Sequence, residues 1–332
     1  MPITSPSAVL EAADPALAAA VSEGLAVVEQ RLLEVVAASN PMLDLAASHL
    51  VAAGGKRVRP LLALLAAQLG DPRAPDVVDA AVVVELTHLA TLYHDDVMDE
   101  ADVRRGAESA NSRWTNTVAI LTGDYLFARA SDLTAGLGTE ATHLQSRTFA
   151  RLVEGQISET AGPLDGQDPV EHHLQVIADK TASLFATSAR LGALTAGAPA
   201  VQVEAIARFG EVFGTAFQLS DDLIDVLSET DASGKTPGTD LREGIRTLPV
   251  LLVLEQDAAD SRLVTLLKGD LTDDARLAEA LGLLRVHPAM TAAHDRLVGY
   301  VAEARTVAAE LPAGSVQDAL VSLADFVLAR TG

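Results

Sequence analysis

The chain has 332 residues, with no cysteine, 14 prolines, 23 glycines, 49% hydrophobic residues and 3% aromatics. Without cysteine there is no disulfide framework, no thiolate metal centre and no cysteine nucleophile, and a reducing, cytoplasmic setting is expected. The 24 basic residues against 46 acidic ones leave a net charge of −22, which repels a nucleic-acid backbone and argues against an anionic membrane surface.

In chain order, residues 1–15 have neither a basic leader nor a continuous apolar stretch, so they read as a short flexible start rather than a signal peptide. Apolar residues then recur every three or four positions. Leu25, Val28, Leu32, Val35 and Val36 alternate in this way with Glu29, Arg31 and Glu34. The pattern predicts helices near 16–39, 42–53, 57–69, 74–101, 112–136, 140–161, 170–195, 200–228, 242–256, 259–268, 275–285, 289–310 and 315–330. Prolines 41, 72, 75, 163, 199, 237, 288 and 312 fall at the boundaries, where they are tolerated. No alternating strand run competes. The segments 74–101, 170–195 and 200–228 are apolar around most of their circumference, which places them inside a bundle. The longest apolar runs, 61–67 and 249–254, are far shorter than the roughly 18 residues of a membrane-spanning helix. With no repeat and no long linker, the whole of 1–332 reads as a single all-α domain, a large helical bundle with a central cavity.

Two acidic clusters stand out, DDVMD at 95–99 and DDLID at 221–225, each at the C-terminal end of a core helix. Four-residue spacing puts Asp95 and Asp99 on one helix face a turn apart, and likewise Asp221 and Asp225. Carboxylates at a helix C-terminus oppose the macrodipole and repel one another, so cations must compensate. Hard oxygen donors without His or Cys suit Mg²⁺, which keeps several waters and bridges carboxylates to phosphates. Asp95, Asp99, Asp221 and Asp225 are the candidate metal carboxylates on this spacing.

Positive charge is concentrated nearby in sequence. Lys56, Arg57 and Arg59 sit in the loop GGKRVRP at 54–60, Arg104 and Arg105 follow the first acidic cluster, and His88 lies two turns before Asp95. A second loop of glycines and cations, SGKTPGTDLREG, spans 233–244. Arginine binds phosphate oxygens in bidentate fashion, and glycine loops let backbone approach them closely.

Together, GGKRVRP (54–60), ELTHLATLYHDDVMDEADVRRG (85–106), Lys180-Thr181, FQLSDDLID (217–225) and GKTPGTDLREG (234–244) resemble the trans-isoprenyl diphosphate synthases, the polyprenyl synthetase family. The resemblance implies an isoprenoid-synthase helical fold and head-to-tail joining of isopentenyl diphosphate to an allylic diphosphate. It implies Mg²⁺ on Asp95 and Asp99 and on Asp221, three ions in all, with Asp222, Asp225 and Asp240 in support. Lys56, Arg59, His88 and Arg105 would bind isopentenyl diphosphate. Arg104, Lys180 and Lys235 would hold the allylic diphosphate, and Thr181 and Gln218 would face the forming cation. The sequence departs from the family where a lysine usually follows Gly244. Ile245 stands there instead, with Arg246 next.

Product length would be set one to two turns before the first acidic cluster, at Thr87, Ala90 and Thr91. These side chains are small, where short-chain relatives carry an aromatic. A long tunnel and a product of about six or more isoprene units are expected, released with transient membrane contact, with a geranylgeranyl product as the alternative. A homodimer is expected from the resemblance. Two other classes are weighed. A non-catalytic subunit of a heteromeric synthase should have lost an acidic cluster. A di-iron bundle would use Glu85-x-x-His88 and Glu140-x-x-His143.

Overall fold

The computed structural model describes residues 5–228 and 237–331. Among them, α1 (Pro6–Ala13), α2 (Pro15–Val36), α3 (Pro41–Ala52), α4 (Val58–Ala67) and α5 (Asp76–Met98) precede a short hairpin, β1 (Val103–Arg104) and β2 (Ala107–Glu108). Then come α6 (Ala110–Arg113), α7 (Asn116–Gly136), α8 (Thr139–Ala161), α9 (Pro169–Ile177), a π-helical turn (Ala178–Ala182), α10 (Ser183–Thr195) and α11 (Ala200–Leu227). The chain closes with α12 (Thr239–Arg242), α13 (Leu248–Gln256), α14 (Arg262–Leu267), α15 (Asp274–Arg285), α16 (Pro288–Ala308) and α17 (Ser315–Ala329). The all-α expectation holds.

The helix starts follow from side-chain chemistry. Ser5, Asp14, Asn40 and Asp168 each accept a hydrogen bond from the first free N–H groups of their helix, with proline at the first helical position. Such a cap is worth about 1 kcal/mol.

Packing divides the chain into two compact units. The first comprises Met1–Arg151, Ser183–Glu211 and Val307–Leu323. At its centre α5 packs against α2, α4, α7 and α10. It is buried on every side from Ala80 through Thr87, which is why its sequence lacks a polar face. By length and composition α5 could cross a membrane, yet 67% of that window is buried inside the protein. Helices α4 and α10 approach so closely that a Cβ on Gly192 would fall on the Ala63 backbone. The second unit comprises Leu152–Ala182, Val212–Thr306 and Ala324–Gly332, with α13 packed on α9 and on α14.

Four local readings are corrected. Residues 6–13 are helical rather than part of a flexible start, because Ser5 and Pro6 supply a cap and Val9 and Leu10 are buried. The segment 170–195 is not one continuous α-helix but α9, a π turn and α10. The segment 242–256 begins as a helix only at Leu248, since Gly244 adopts φ +78° after the short α12. Finally, 103–108 is a hairpin whose register pairs Val103 with Glu108 and Arg104 with Ala107. Its two turn residues, Arg105 and Gly106, have φ of +55° and +76°, as a tight hairpin turn requires.

Candidate active site

In the first unit, α5 carries its acidic cluster on its last turn. Asp95 is half-buried, Asp96 is fully buried, and Asp99 is the exposed cap residue whose N–H donates to the Asp95 carbonyl at 2.8 Å. The four-residue stacking of Asp95 and Asp99 is therefore realised. Asp96 Oδ1 accepts from Arg104 Nε at 2.5 Å, and Arg104 Nη2 lies 4.0 Å from Asp99 Oδ2. Burial raises the Asp96 carboxyl above its usual range, with Arg104 pulling the other way and Asp99 adding to the rise. Just below, the Tyr93 hydroxyl donates to the Ala46 carbonyl and accepts from Leu50 N at 3.3 Å, fastening α3 to α5. Burial pushes this phenol up to about 12.

The cations gather along α5, at Glu85 and His88 as well as at its acidic end. Arg105 donates to the carbonyls of Leu50, at 3.3 Å, and Gly54, and its Nη2 lies 3.6 Å from Glu85 Oε1. Arg57 is almost wholly buried, held by Glu29, Glu85 and the Val51 carbonyl. Arg59 lies 4.6 Å from the centre of the Phe185 ring, a cation–π arrangement. Lys56 is exposed on the glycine loop. His88 is depressed well below its ordinary value, first by burial and then by the positive field of Arg59, Arg105, Arg104 and Arg57. A neutral imidazole there still offers one N–H to an anion. Arg59, His88, Arg104 and Arg105 thus share one electrostatic neighbourhood, as the sequence suggested.

The residues assigned to product length are small but not bare. Thr87 donates to the Val83 carbonyl at 2.8 Å and accepts from Gln145 Nε2 at 2.6 Å. Ala90 is fully buried, and Thr91 donates to the His88 carbonyl at 2.8 Å. Gln145 could not be found from spacing, since it lies 58 residues away.

In the second unit, a polar chain joins several predicted residues. Thr181, on the π turn, donates to Gln218 Oε1 at 3.1 Å, Gln218 Nε2 donates to Asp222 Oδ1 at 2.9 Å, and His173 Nε2 lies 3.4 Å from Asp222 Oδ2. Lys180 Nζ pairs with Glu159 at 2.5 Å. The π turn passes close to Gly155, where a Cβ would come within 2.7 Å of Lys180 N. Asp221 pairs with Arg330, whose guanidinium also lies 4.8 Å from the Phe217 ring centre. Asp225 caps the following segment, accepting from the N–H groups of Thr239, at 3.1 Å, and Asp240, at 3.2 Å. Lys235 lies outside the described residues, and Arg246 is exposed. Glu159, His173 and Arg330 were missed by sequence reading because each meets its partner only through the tertiary fold.

The di-iron alternative fails on geometry. Glu85 is committed to Arg57, while Glu140 and His143 are exposed near the start of α8. No group of three His, Cys, Asp or Glu residues among the described ones closes on a common point as a metal centre. The exposed Asp99 and half-buried Asp95, Asp221 and Asp225 are hard, accessible donors.

A family model described as polyprenyl synthetase matches residues 40–284. The chain is 50% identical over 321 residues to a nonaprenyl diphosphate synthase of Mycobacterium tuberculosis, covering 96% of each chain. It is 41% identical over 317 residues to a dimethylallyltranstransferase of the same organism, covering 95% of this chain and 96% of the relative. Among solved structures, a geranylgeranyl pyrophosphate synthase from Corynebacterium glutamicum, complexed with calcium and isoprenyl diphosphate, is 44% identical with a TM-score of 0.85. That match covers 96% of this chain and 98% of the other.

Proposed function

The chain belongs to the polyprenyl synthetase family of prenyltransferases, and from that premise we propose that it condenses isopentenyl diphosphate with an allylic diphosphate, making an all-trans polyprenyl diphosphate of about six or more isoprene units in an apolar channel. The observation that carries the reading is the gathering of Arg59, Arg104 and Arg105 around His88 on α5, with Arg104 reaching on to Asp96 and Asp99 at its acidic end. In a chain of net charge −22, this local concentration of cations marks a place where an anion is favoured. The family match spans residues of both units, which supports treating 1–332 as one functional domain.

Asp95, Asp99 and Asp221 would hold Mg²⁺, with Asp222, Asp225 and Asp240 in support. The ions supply charge stabilisation for the departing diphosphate. The crystal neighbour complexed with calcium and isoprenyl diphosphate supports a divalent ion at such a site. Lys56, Arg59, His88 and Arg105 bind and orient isopentenyl diphosphate. Arg104, Lys180 and Lys235 hold the allylic diphosphate and favour the negative charge that develops on it. Thr181 and Gln218, already joined to each other and to Asp222, present oxygen dipoles to the allyl cation. An apolar channel beside α5 would keep water from that cation. No protein nucleophile is needed, because the alkene attacks and the released diphosphate accepts the proton.

The small residues Thr87, Ala90 and Thr91 support a long product, and so does the 50% identity to a nonaprenyl synthase. The bond from Gln145 to Thr87 favours a second reading, a geranylgeranyl product, because a polar bridge two turns below Asp95 would obstruct a hydrocarbon tail. A homodimer is supported by the apolar exposure of Ile120 and Leu121 on α7, and light scattering of the purified protein would give its mass. The test of length is product sizing. Purified protein, Mg²⁺, labelled isopentenyl diphosphate and farnesyl diphosphate should give a ladder ending at about six to ten units, a long-tunnel outcome. A stop at four units would favour the Gln145 reading. No product with any primer would point to a partner-dependent subunit.

A further inference from the structure

We propose that Glu85 is a positioning residue for the isopentenyl diphosphate end of the site. It holds Arg105 directly, and through Arg57 it holds the glycine loop that carries Lys56 and Arg59. This rests on the prenyltransferase reading above.

Glu85 is 1% exposed, deep in α5, among otherwise apolar neighbours. Its Oε1 accepts from Arg57 Nη1 at 2.6 Å and lies 3.6 Å from Arg105 Nη2. One carboxylate therefore ties together two segments, 54–59 and 104–106, that are separate in sequence. Arg57 commits three further donors to the protein, with Nε on Glu29 Oε1 at 2.5 Å, and Nη2 on Glu29 Oε2 at 3.1 Å and the Val51 carbonyl at 3.0 Å. It is a strut and not a substrate ligand. Its backbone is left-handed, φ +46°, directly at the start of α4, a conformation that is strained for a non-glycine residue. The fold tolerates this because the side chain is fixed at its far end. Arg105 is also left-handed at φ +55°, and its guanidinium packs where a Cβ on Gly55 would stand, 2.8 Å from Arg105 Cζ. Gly55 is needed there for that approach.

Two physical roles for Glu85 predict opposite signs. As a mere counter-charge, the buried carboxylate would weaken an anion site, so neutralising it would tighten isopentenyl diphosphate binding. As a positioning group, its loss would misplace Arg105 and the loop, and binding would weaken although the site became more positive.

The experiment measures KM for both substrates, and kcat, in Glu85→Gln, Glu85→Asp, Glu29→Gln and Arg57→Lys with the full chain. Glu85→Gln is expected to raise KM for isopentenyl diphosphate by about tenfold or more while the allylic KM stays within about twofold. Glu85→Asp, which keeps the charge but shortens the reach, should shift the same KM in the same direction. If Glu85→Gln does not fold, Glu29→Gln and Arg57→Lys should each raise that KM selectively, by about two- to fivefold. An unchanged or lower KM for isopentenyl diphosphate in the folded variants overturns the proposal, as does an equal rise in both KM values. Turnover by the wild-type protein is measured alongside: its absence would sink the prenyltransferase reading, whereas normal wild-type turnover with unselective variants would sink the role of Glu85 alone.

Discussion

At the residue scale, the acidic side chains differ in what they are free to do. Asp96 and Asp222 are buried and engaged by Arg104 and by Gln218 and His173, whereas Asp95 is half-buried and Asp99, 4.0 Å from Arg104, is exposed to solvent. Substituting Asp95 or Asp99 by Asn should therefore lower kcat on the order of a hundredfold or more with little change in thermal stability, measured by steady-state turnover and calorimetry. Arg330 sits on Asp221, a cation on a carboxylate that metal binding would have to release. Arg330→Ala should reduce the Mg²⁺ concentration for half-maximal rate by about threefold, because a competitor for the carboxylate is gone. An increase would show that Arg330 serves the bound state instead. His88 has a depressed value in the fold, so below its ordinary value of about 6.5 the unfolded chain binds the extra proton. Its contribution to stability is unaffected above that pH and falls as pH drops below it. The melting temperature of His88→Asn should accordingly decline less than that of the wild type between pH 7 and pH 5.

At the element scale, helical spacing located the segments well because each buries an apolar stripe that recurs every three to four residues. What spacing could not express was irregular backbone. The π turn at 178–182 falls inside an unbroken helical pattern, yet it carries Lys180 and Thr181. It lies against Gly155, where any Cβ would approach Lys180 N at 2.7 Å and Asp179 Cβ at 3.1 Å. Gly155→Ala should cost about 1–3 kcal/mol of stability by overpacking, read from denaturant unfolding, and should raise the allylic KM by displacing Lys180. The hairpin at 103–108 was equally hidden, because its strands are two residues each and an arginine stands where asparagine or aspartate usually precedes the turn glycine. The acidic and basic motifs themselves were legible from local spacing. Their partners Glu29, Gln145, Glu159, His173 and Arg330 were not, since Arg330 meets Asp221 across 109 residues and Glu29 meets Arg57 across 28.

At the scale of the whole molecule, composition and function agree. A chain of net charge −22 concentrates cations along α5, beside its largely aliphatic core, an arrangement suited to a substrate that is anionic at one end and hydrocarbon along the rest. The three-percent aromatic content means that the helices bury mostly aliphatic side chains. The most direct test of this account is the incorporation of labelled isopentenyl diphosphate into farnesyl diphosphate by the homogeneous wild-type protein, with Mg²⁺ and again after chelation with EDTA. Multiple turnovers that vanish on chelation and return with added Mg²⁺ are the predicted result. Turnover that survives complete chelation, or none with metal and both substrates supplied, would contradict it.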